Sequence, residues 1–530
     1  MTDTALGMSG SSSSAAAGGE ADVVVIGGGH NSLIAAAYVA AAGFEVVVLE
    51  EREVLGGNTV TEELTLPGFQ HDSCSSAHVL IQSNPLIRDD ELGLRGLGLE
   101  YVYTDPAVVL PGADGSTVVV HRDAERTAAE IATWSRPDGE AFLELLAEWN
   151  KCLRGAHNRW NAGTLDPGGA TIDARYAQLR SRSALDTIRE RFSHPRTIDV
   201  MAWLSFATIQ RIDKSGTGIL PFSITAGRTT FGWATPIGGS GALPAALAKR
   251  IEAHGGRVLT GELVERILTR EGRASGVRTA SGAVWNARRA IISSAHLTAL
   301  PDMLSDGPIS LALDHAAASW RPGLSLFAVH FALDGQLEYD TASGRVRSVA
   351  GGLGTTAGLL AQYDAFDRGE WFAADPWLLM VCSTSIDPAR APDGHGTGKF
   401  LTIAPYTLSR GRDWVVERDK YARALTEHAA GFVGGLSDTD ILATVAESPR
   451  DLEQRNRHNV GGSCHGGEIV AADGEVLVGW PDHRLPVPGL YQTGSTAHPG
   501  GSVAGRAGRN AARALLTDLG VDPATVMGDD

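Results

Sequence analysis

Residues 23–57, VVVIGGGHNSLIAAAYVAAAGFEVVVLEEREVLGG, constrain this chain more than any other segment. Residues 23–26 form a short apolar run suited to a buried parallel strand. Gly27 permits a tight turn, and Gly29 lets the backbone come close to a pyrophosphate. A helix is expected from about Ser32, its N–H groups and positive dipole end facing that anion, with His30 and Asn31 as neighbouring cofactor-binding candidates. Ala35, Ala36 and Ala37 keep the helix thin enough to lie close on a sheet. Residues 46–49 read as a second strand, ended by Glu50. Glu50 follows Gly27 by 23 positions, near the spacing of about 20 expected for a carboxylate that takes a ribose hydroxyl. Ser32 stands where a third glycine is usual, and serine is small enough to preserve close helix–strand packing. The segment predicts a dinucleotide-binding βαβ unit.

The far end repeats the device. In residues 489–513, GLYQTGSTAHPGGSVAGRAGRNAAR, positions 490–493 read as a strand and Gly494 as a turn. A helix rich in Ala and Gly is expected from Val503 onward, giving a second strand–turn–helix anion site that includes Ser495, Gly501 and Ser502.

The run from Glu50 through Glu51 and Arg52 to Gly56-Gly57-Asn58 resembles the extended motif of two-dinucleotide-domain flavoproteins, which bind FAD at their N-terminus. There Gly56 and Gly57 would give a second backbone approach to the pyrophosphate, assisted by Arg52. His498-Pro499-Gly500-Gly501 matches the H-P-G-G pattern of phytoene desaturase-related flavoproteins, as do GGGHNSL at 27–33 and HNVGGSCHGGE at 458–468. Within that family the chain looks nearest the pyridine nucleotide-disulphide oxidoreductase-domain group. The resemblance implies that the C-terminal segment closes over the flavin with a helix N-terminus at its pyrimidine edge. It also implies that a backbone amide near Val264 meets the adenine. The motifs cover the two ends and the stretch 236–264, and say little about the middle of the chain.

At 530 residues the chain exceeds one ordinary core, so two interleaved domains are expected. The fold class is α/β: a Rossmann-type FAD-binding domain with an interleaved α+β substrate domain, an antiparallel sheet plus a helical cap. The expected division is a disordered tail at 1–20, FAD-binding parts at 21–120, 226–300 and 458–520, substrate parts at 121–225 and 301–457, and a tail at 521–530. A net charge of −17 argues against nucleic acid and anionic membrane surfaces. Residues 1–20 lack the basic start and apolar stretch of a secretory signal, and the apolar run 33–44 is short of the roughly 18 residues a spanning helix needs. A cytoplasmic location is the default, with peripheral membrane contact left open. Cys74, Cys152, Cys382 and Cys464 include no C-x-x-C pair, so neither a redox disulfide nor a zinc ribbon is indicated.

No nucleophile triad, glycosidase carboxylate pair or metal-ligand cluster is visible, which suits a flavin performing the hard step. Acid–base candidates are His498, His465 and the His71-Asp72 pair near Cys74, the last read as surface turn residues. Trp371, Trp377 and Trp414 either line a pocket or are core aromatics. The expected activity is desaturation or dehydrogenation of an apolar small molecule, such as an isoprenoid, by hydride transfer to FAD and on to oxygen, a quinone or a protein. Alternatives are an amine oxidase of the same architecture, a redox-neutral isomerase using reduced FAD, and a flavin-binding partner without turnover. Oligomeric state is left open.

Overall fold

The computed structural model describes residues 18–165, 168–304, 310–468 and 477–529. Most of the tail expected at 1–20 lies outside them.

The strand Gly19–Ile26 sits between Val284–Ser293 and Val46–Leu49, parallel to both. Its central valines are fully buried, as a strand covered on both faces requires. Arg257–Leu259 extends the parallel sheet beyond Val46–Leu49, and Leu490–Gln492 joins Val284–Ser293 on the other side. The parallel core therefore recruits chain from the start, the middle and the end. An antiparallel hairpin, Val264–Arg270 with Arg273–Thr279, completes the seven strands. The helix His30–Ala41 packs against Arg506–Asp518 and Ala242–Ala253. Contact with the first is close: a Cβ at Gly508 would stand 2.3 Å from the Asn31 carbonyl oxygen.

A second seven-stranded sheet runs in the order Ile441–Glu447, Leu326–Leu333, Gly396–Ile403, Leu378–Val381, Ala350–Leu353, Val108–Pro111, Thr117–Val120. It is antiparallel except where Ala350–Leu353 meets Val108–Pro111. Helices between Ala124–Ala132 and Leu220–Phe231 share a hydrophobic cluster with one face of this sheet. The α/β class with its interleaved antiparallel domain is thus what forms.

Several boundaries differ from expectation. Val108–Pro111 and Thr117–Val120 belong to the second sheet, although the first FAD-binding part was expected to run to 120. The helix Leu220–Phe231 crosses the boundary expected after 225, because its apolar residues continue to Phe231. Thr171–Arg180 and Ala184–Arg191 are separate helices, with Ser183 capping the second by accepting the Asp186 N–H. The C-terminal end is no loose tail: Pro523–Thr525 forms a helical turn and Met527 is buried. Gly528 N–H and Arg509 both bind the Glu91 carboxylate, at 2.5 and 2.8 Å. Trp377 and Trp414 are core residues, Trp377 packed on Trp203 and Phe206, while Trp371 stacks on Tyr421. None of these three tryptophans borders the cavity described below.

Candidate active site

A deep cavity opens where the parallel strands end. Gly27, Gly29, His30, Asn31, Ser32, Glu50, Glu51, Arg52, Gly56, Gly57, Asn58, Val264, Gly494, Ser495, Gly501, Ser502 and Val503 all border it, so both ends of the chain meet there. Gly27 has φ +89°, and a Cβ there would stand 2.3 Å from Ser294 Oγ. Gly29 differs: a Cβ would meet nothing within 4 Å, so its bare backbone faces open cavity. Gly56 has φ +118°, and its N–H donates to the Gly28 carbonyl at 2.8 Å, clamping the second glycine pair onto the first.

The helix His30–Ala41 begins directly at this turn with Gly29 as its cap, and no side chain satisfies its first N–H groups. Buried polar atoms are orphaned beside it: Ser32 Oγ and His30 Nε2 have no protein partner. A pyrophosphate at a helix N-terminus needs this combination of open glycine backbone, free N–H groups and small polar neighbours. Glu50 points its carboxylate into the same space, accepting the Gly28 and Arg52 N–H groups at 2.5 and 2.9 Å. Burial raises its pKa, and those two hydrogen bonds act in the opposite direction. Residues at the cavity therefore fit FAD: Glu50 for ribose hydroxyls, the helix start for phosphates, and Val264 on the adenine side.

Some side chains serve the cradle rather than the space. Arg52 donates to the Gly57 carbonyl and Glu62, both at 3.2 Å, so it braces the turn. Glu51 pairs with Arg457 at 3.1 Å. Asn58 is fixed by Asn456, Asn459 and the Cys464 carbonyl, tying residues 456–464 to the N-terminal motif. The expected helix start at Val503 is corrected: the helix is Arg506–Asp518, capped by Gly505 with φ +67°. Residues 494–503 are a loop, with Ser502 at φ +81°. A Cβ at Gly501 would stand 2.3 Å from the His465 carbonyl, so glycine there lets the two loops touch.

The histidines separate clearly. His498 does not border the cavity; its Nε2 lies 2.5 Å from the Trp160 carbonyl, with Trp160 and Trp480 edge-on to its ring. It fastens the closing loop to the helical cap. His465 does border the cavity, with Nδ1 3.5 Å from Ser502 Oγ and Nε2 buried without a partner. Burial lowers both pKa values to about 4. His71 and Asp72 are buried, not surface turn residues: Asp72 pairs with Arg390 at 3.0 Å and His71 Nε2 meets Thr65 Oγ1 at 2.8 Å. Neither borders the cavity.

Beyond the dinucleotide half, the cavity continues between Val79, Ile209, Ile224, Leu326, Leu379 and Leu401. Sequence reasoning missed Arg228 and Trp233, which also border this chamber. A signal existed, since Arg228 is the only charged residue in the apolar helix Leu220–Phe231. It also missed the meeting of Cys74 and Cys464 on one wall, where the Cys464 S–H and then Lys399 lower the Cys74 pKa. Residues distant in sequence leave no local pattern.

Residues 25–89 match the NAD(P)-binding Rossmann-like domain, and residues 134–516 match the flavin containing amine oxidoreductase family. That second match spans most of the sequence. The chain belongs to the flavin-containing amine oxidoreductase family. It is an FAD-dependent oxidoreductase. The family's desaturase branch is represented among its relatives. It is 29% identical to mouse pyridine nucleotide-disulfide oxidoreductase domain-containing protein 2, over 89% of each chain. It is 25% identical to the neurosporene-forming phytoene desaturase of Cereibacter sphaeroides, over 84% of this chain and 87% of that protein. A putrescine oxidase triple mutant shares the family fold, with TM-score 0.62 and 16% identity over 95% of this chain and 99% of that one. Among the described residues, no helix is long and apolar enough to cross a membrane.

Proposed function

We propose that this oxidoreductase dehydrogenates or desaturates an apolar small molecule, with an isoprenoid as the leading class. The observation that carries the reading is the continuity of the cavity: the cradle of Gly29 and Glu50 runs without a break into a chamber walled by aliphatic side chains. When bound, FAD supplies a two-electron acceptor for a hydride. The chain supplies position and dryness. Val79, Ile209, Ile224 and Leu401 hold an apolar body and exclude water, which strengthens every electrostatic contact inside. His465 borders the cavity, and burial lowers its pKa to about 4, so it adds no charge there at neutral pH. The named activity of the phytoene desaturase relative supports an apolar substrate. The putrescine oxidase likeness concerns fold alone and carries no argument for an amine. The final electron acceptor is proposed to be oxygen, a quinone or a protein, in a cytoplasmic setting.

Anaerobic mixing of the flavin-loaded protein with terpenoids and with amines tests this. Bleaching of the flavin's visible absorbance by an apolar alkene or terpenoid, and none by amines, is the expected result. Bleaching by amines alone would overturn it.

A further inference from the structure

The chamber contains a charge that the fold leaves unanswered. Arg228 lies in the last turn of Leu220–Phe231 and is 5% exposed. Its guanidinium lies over the Trp233 ring, 4.2 Å from the centroid. Among the described residues its one hydrogen bond is long, 3.5 Å from Nη1 to the Gly232 carbonyl, and its Nε has no partner. Among the described residues no carboxylate faces it; burial alone lowers its pKa, to about 9. Two other buried arginines are answered by carboxylates: Arg390 by Asp72 and Arg509 by Glu91. An unanswered buried guanidinium is penalised by several kcal/mol of desolvation, so its presence on a cavity wall points to an anion arriving from outside.

The approach has the same sign. A second chamber of about 700 Å³ adjoins the first, the two sharing Leu80, Thr208, Ile209, Ile224 and His465. Among the described residues its wall carries Arg180 and Lys214, with Arg211, which is paired to Asp213 and Asp367, and one carboxylate, Glu468. Arg180 is enclosed yet keeps surface on the chamber, its guanidinium 3.7 Å from the Trp160 ring centroid. A chain of net charge −17 thus presents a cationic interior route, and charge concentrated in a low-dielectric cleft focuses the field on an incoming anion.

We propose that Arg228 anchors a carboxylate on the otherwise apolar substrate, the acid entering by the chamber that Arg180 borders. The planar guanidinium fork matches a carboxylate in two parallel hydrogen bonds. A protonated amine would meet a like charge at the same place, and a bare hydrocarbon would leave Arg228 unpaired. This rests on the oxidoreductase reading of the cavity and narrows it from apolar molecules to apolar monocarboxylic acids.

The test is equilibrium binding to the flavin-loaded protein, followed by calorimetry and by tryptophan fluorescence, with dodecanoate, dodecanol and dodecylamine as probes. Dodecanoate should bind at least about tenfold tighter than dodecanol, with dodecylamine weakest. R228L should remove the acid's advantage while retaining flavin, and R228K should keep part of it; R228Q replaces R228L if that variant does not fold. Equal binding of acid and alcohol to the unaltered protein would overturn the proposal. So would an undiminished preference for acid in R228L, or loss of flavin from R228L, which would assign Arg228 to the cofactor. If the protein takes up no FAD yet still prefers dodecanoate through Arg228, the anion site stands and the oxidoreductase reading falls.

Discussion

At the dinucleotide turn this molecule shapes space by leaving side chains out; in the chamber beyond, it shapes space by putting them in. Gly27, Gly29 and Gly56 define the first region through backbone geometry, and Glu50 is the one carboxylate placed there by a strand end. The chamber depends on Val79, Ile224, Arg228, Trp233 and Leu401, contributed by three separate stretches of chain. An added Cβ would collide with the Thr59 backbone at Gly56 and with Ser294 Oγ at Gly27, and at Gly29 it would occupy the open space of the cradle. A side-chain wall can be rebuilt with different chemistry while the fold remains. The comparison teaches where the two kinds of information reside: cofactor identity in glycines, substrate identity in a dispersed set of side chains.

The comparison breaks most visibly at Gly56. A Cβ there would stand 2.1 Å from the Thr59 carbonyl oxygen, and φ +118° is foreign to L-residues. Gly56→Val should abolish flavin retention, read as the flavin-to-protein absorbance ratio of purified protein. Retention of flavin at the unaltered ratio would show that the turn is not a cradle. Next in size is Trp377→Ala. That side chain is 1% exposed, so truncation should lower stability by about 3–5 kcal/mol in denaturant unfolding. Flavin per folded chain should stay the same, because Trp377 borders neither region.

Acid acts on both regions together. Burial lowers the pKa of His30 in the cradle, His465 at the chamber and His498 at the loop to about 4, against 6.5 for an exposed histidine. Between those values the unfolded chain binds protons that the folded chain refuses. Stability is therefore full above pH 6.5 and falls as pH drops toward 4, by about 1.4 kcal/mol per pH unit for each such histidine. Melting temperatures across this range check the sign; a plateau down to pH 4 would contradict the buried neutral imidazoles. The smallest effect sharpens the split between the two candidate histidines. His498→Ala should cost about 1–2 kcal/mol of stability by unpairing the Trp160 carbonyl, and His465→Ala less than about 1 kcal/mol, since its Nε2 has no protein partner. In turnover the order should reverse, with His465→Ala the slower enzyme.

Much of the cradle was legible in the sequence because each part leaves a local mark. A glycine that cannot be replaced, a buried run of valines and an acid at the strand end all sit within 23–57. The C-terminal loop was legible for the same reason, although its helix begins later than expected because Gly505 sets the start. The chamber was not legible. Trp371, Trp377 and Trp414 could be read by residue type as pocket walls or as core aromatics, and packing decides for positions away from the cavity. His71 and Asp72 looked exposed because Arg390, which buries and neutralises Asp72, comes from a distant stretch. Asn58 ties the segments of Cys74 and Cys464 together, accepting Ser75 N–H on its carbonyl and donating to the Cys464 carbonyl. Long-range pairing of this kind has no periodicity to read.

Flavin extracted from the purified, folded chain and quantified against protein is the most direct measurement. One FAD per polypeptide is predicted, bound tightly enough to survive gel filtration or restored to that ratio by added FAD. Folded protein that emerges colourless and stays so after incubation with FAD would contradict the account at its root.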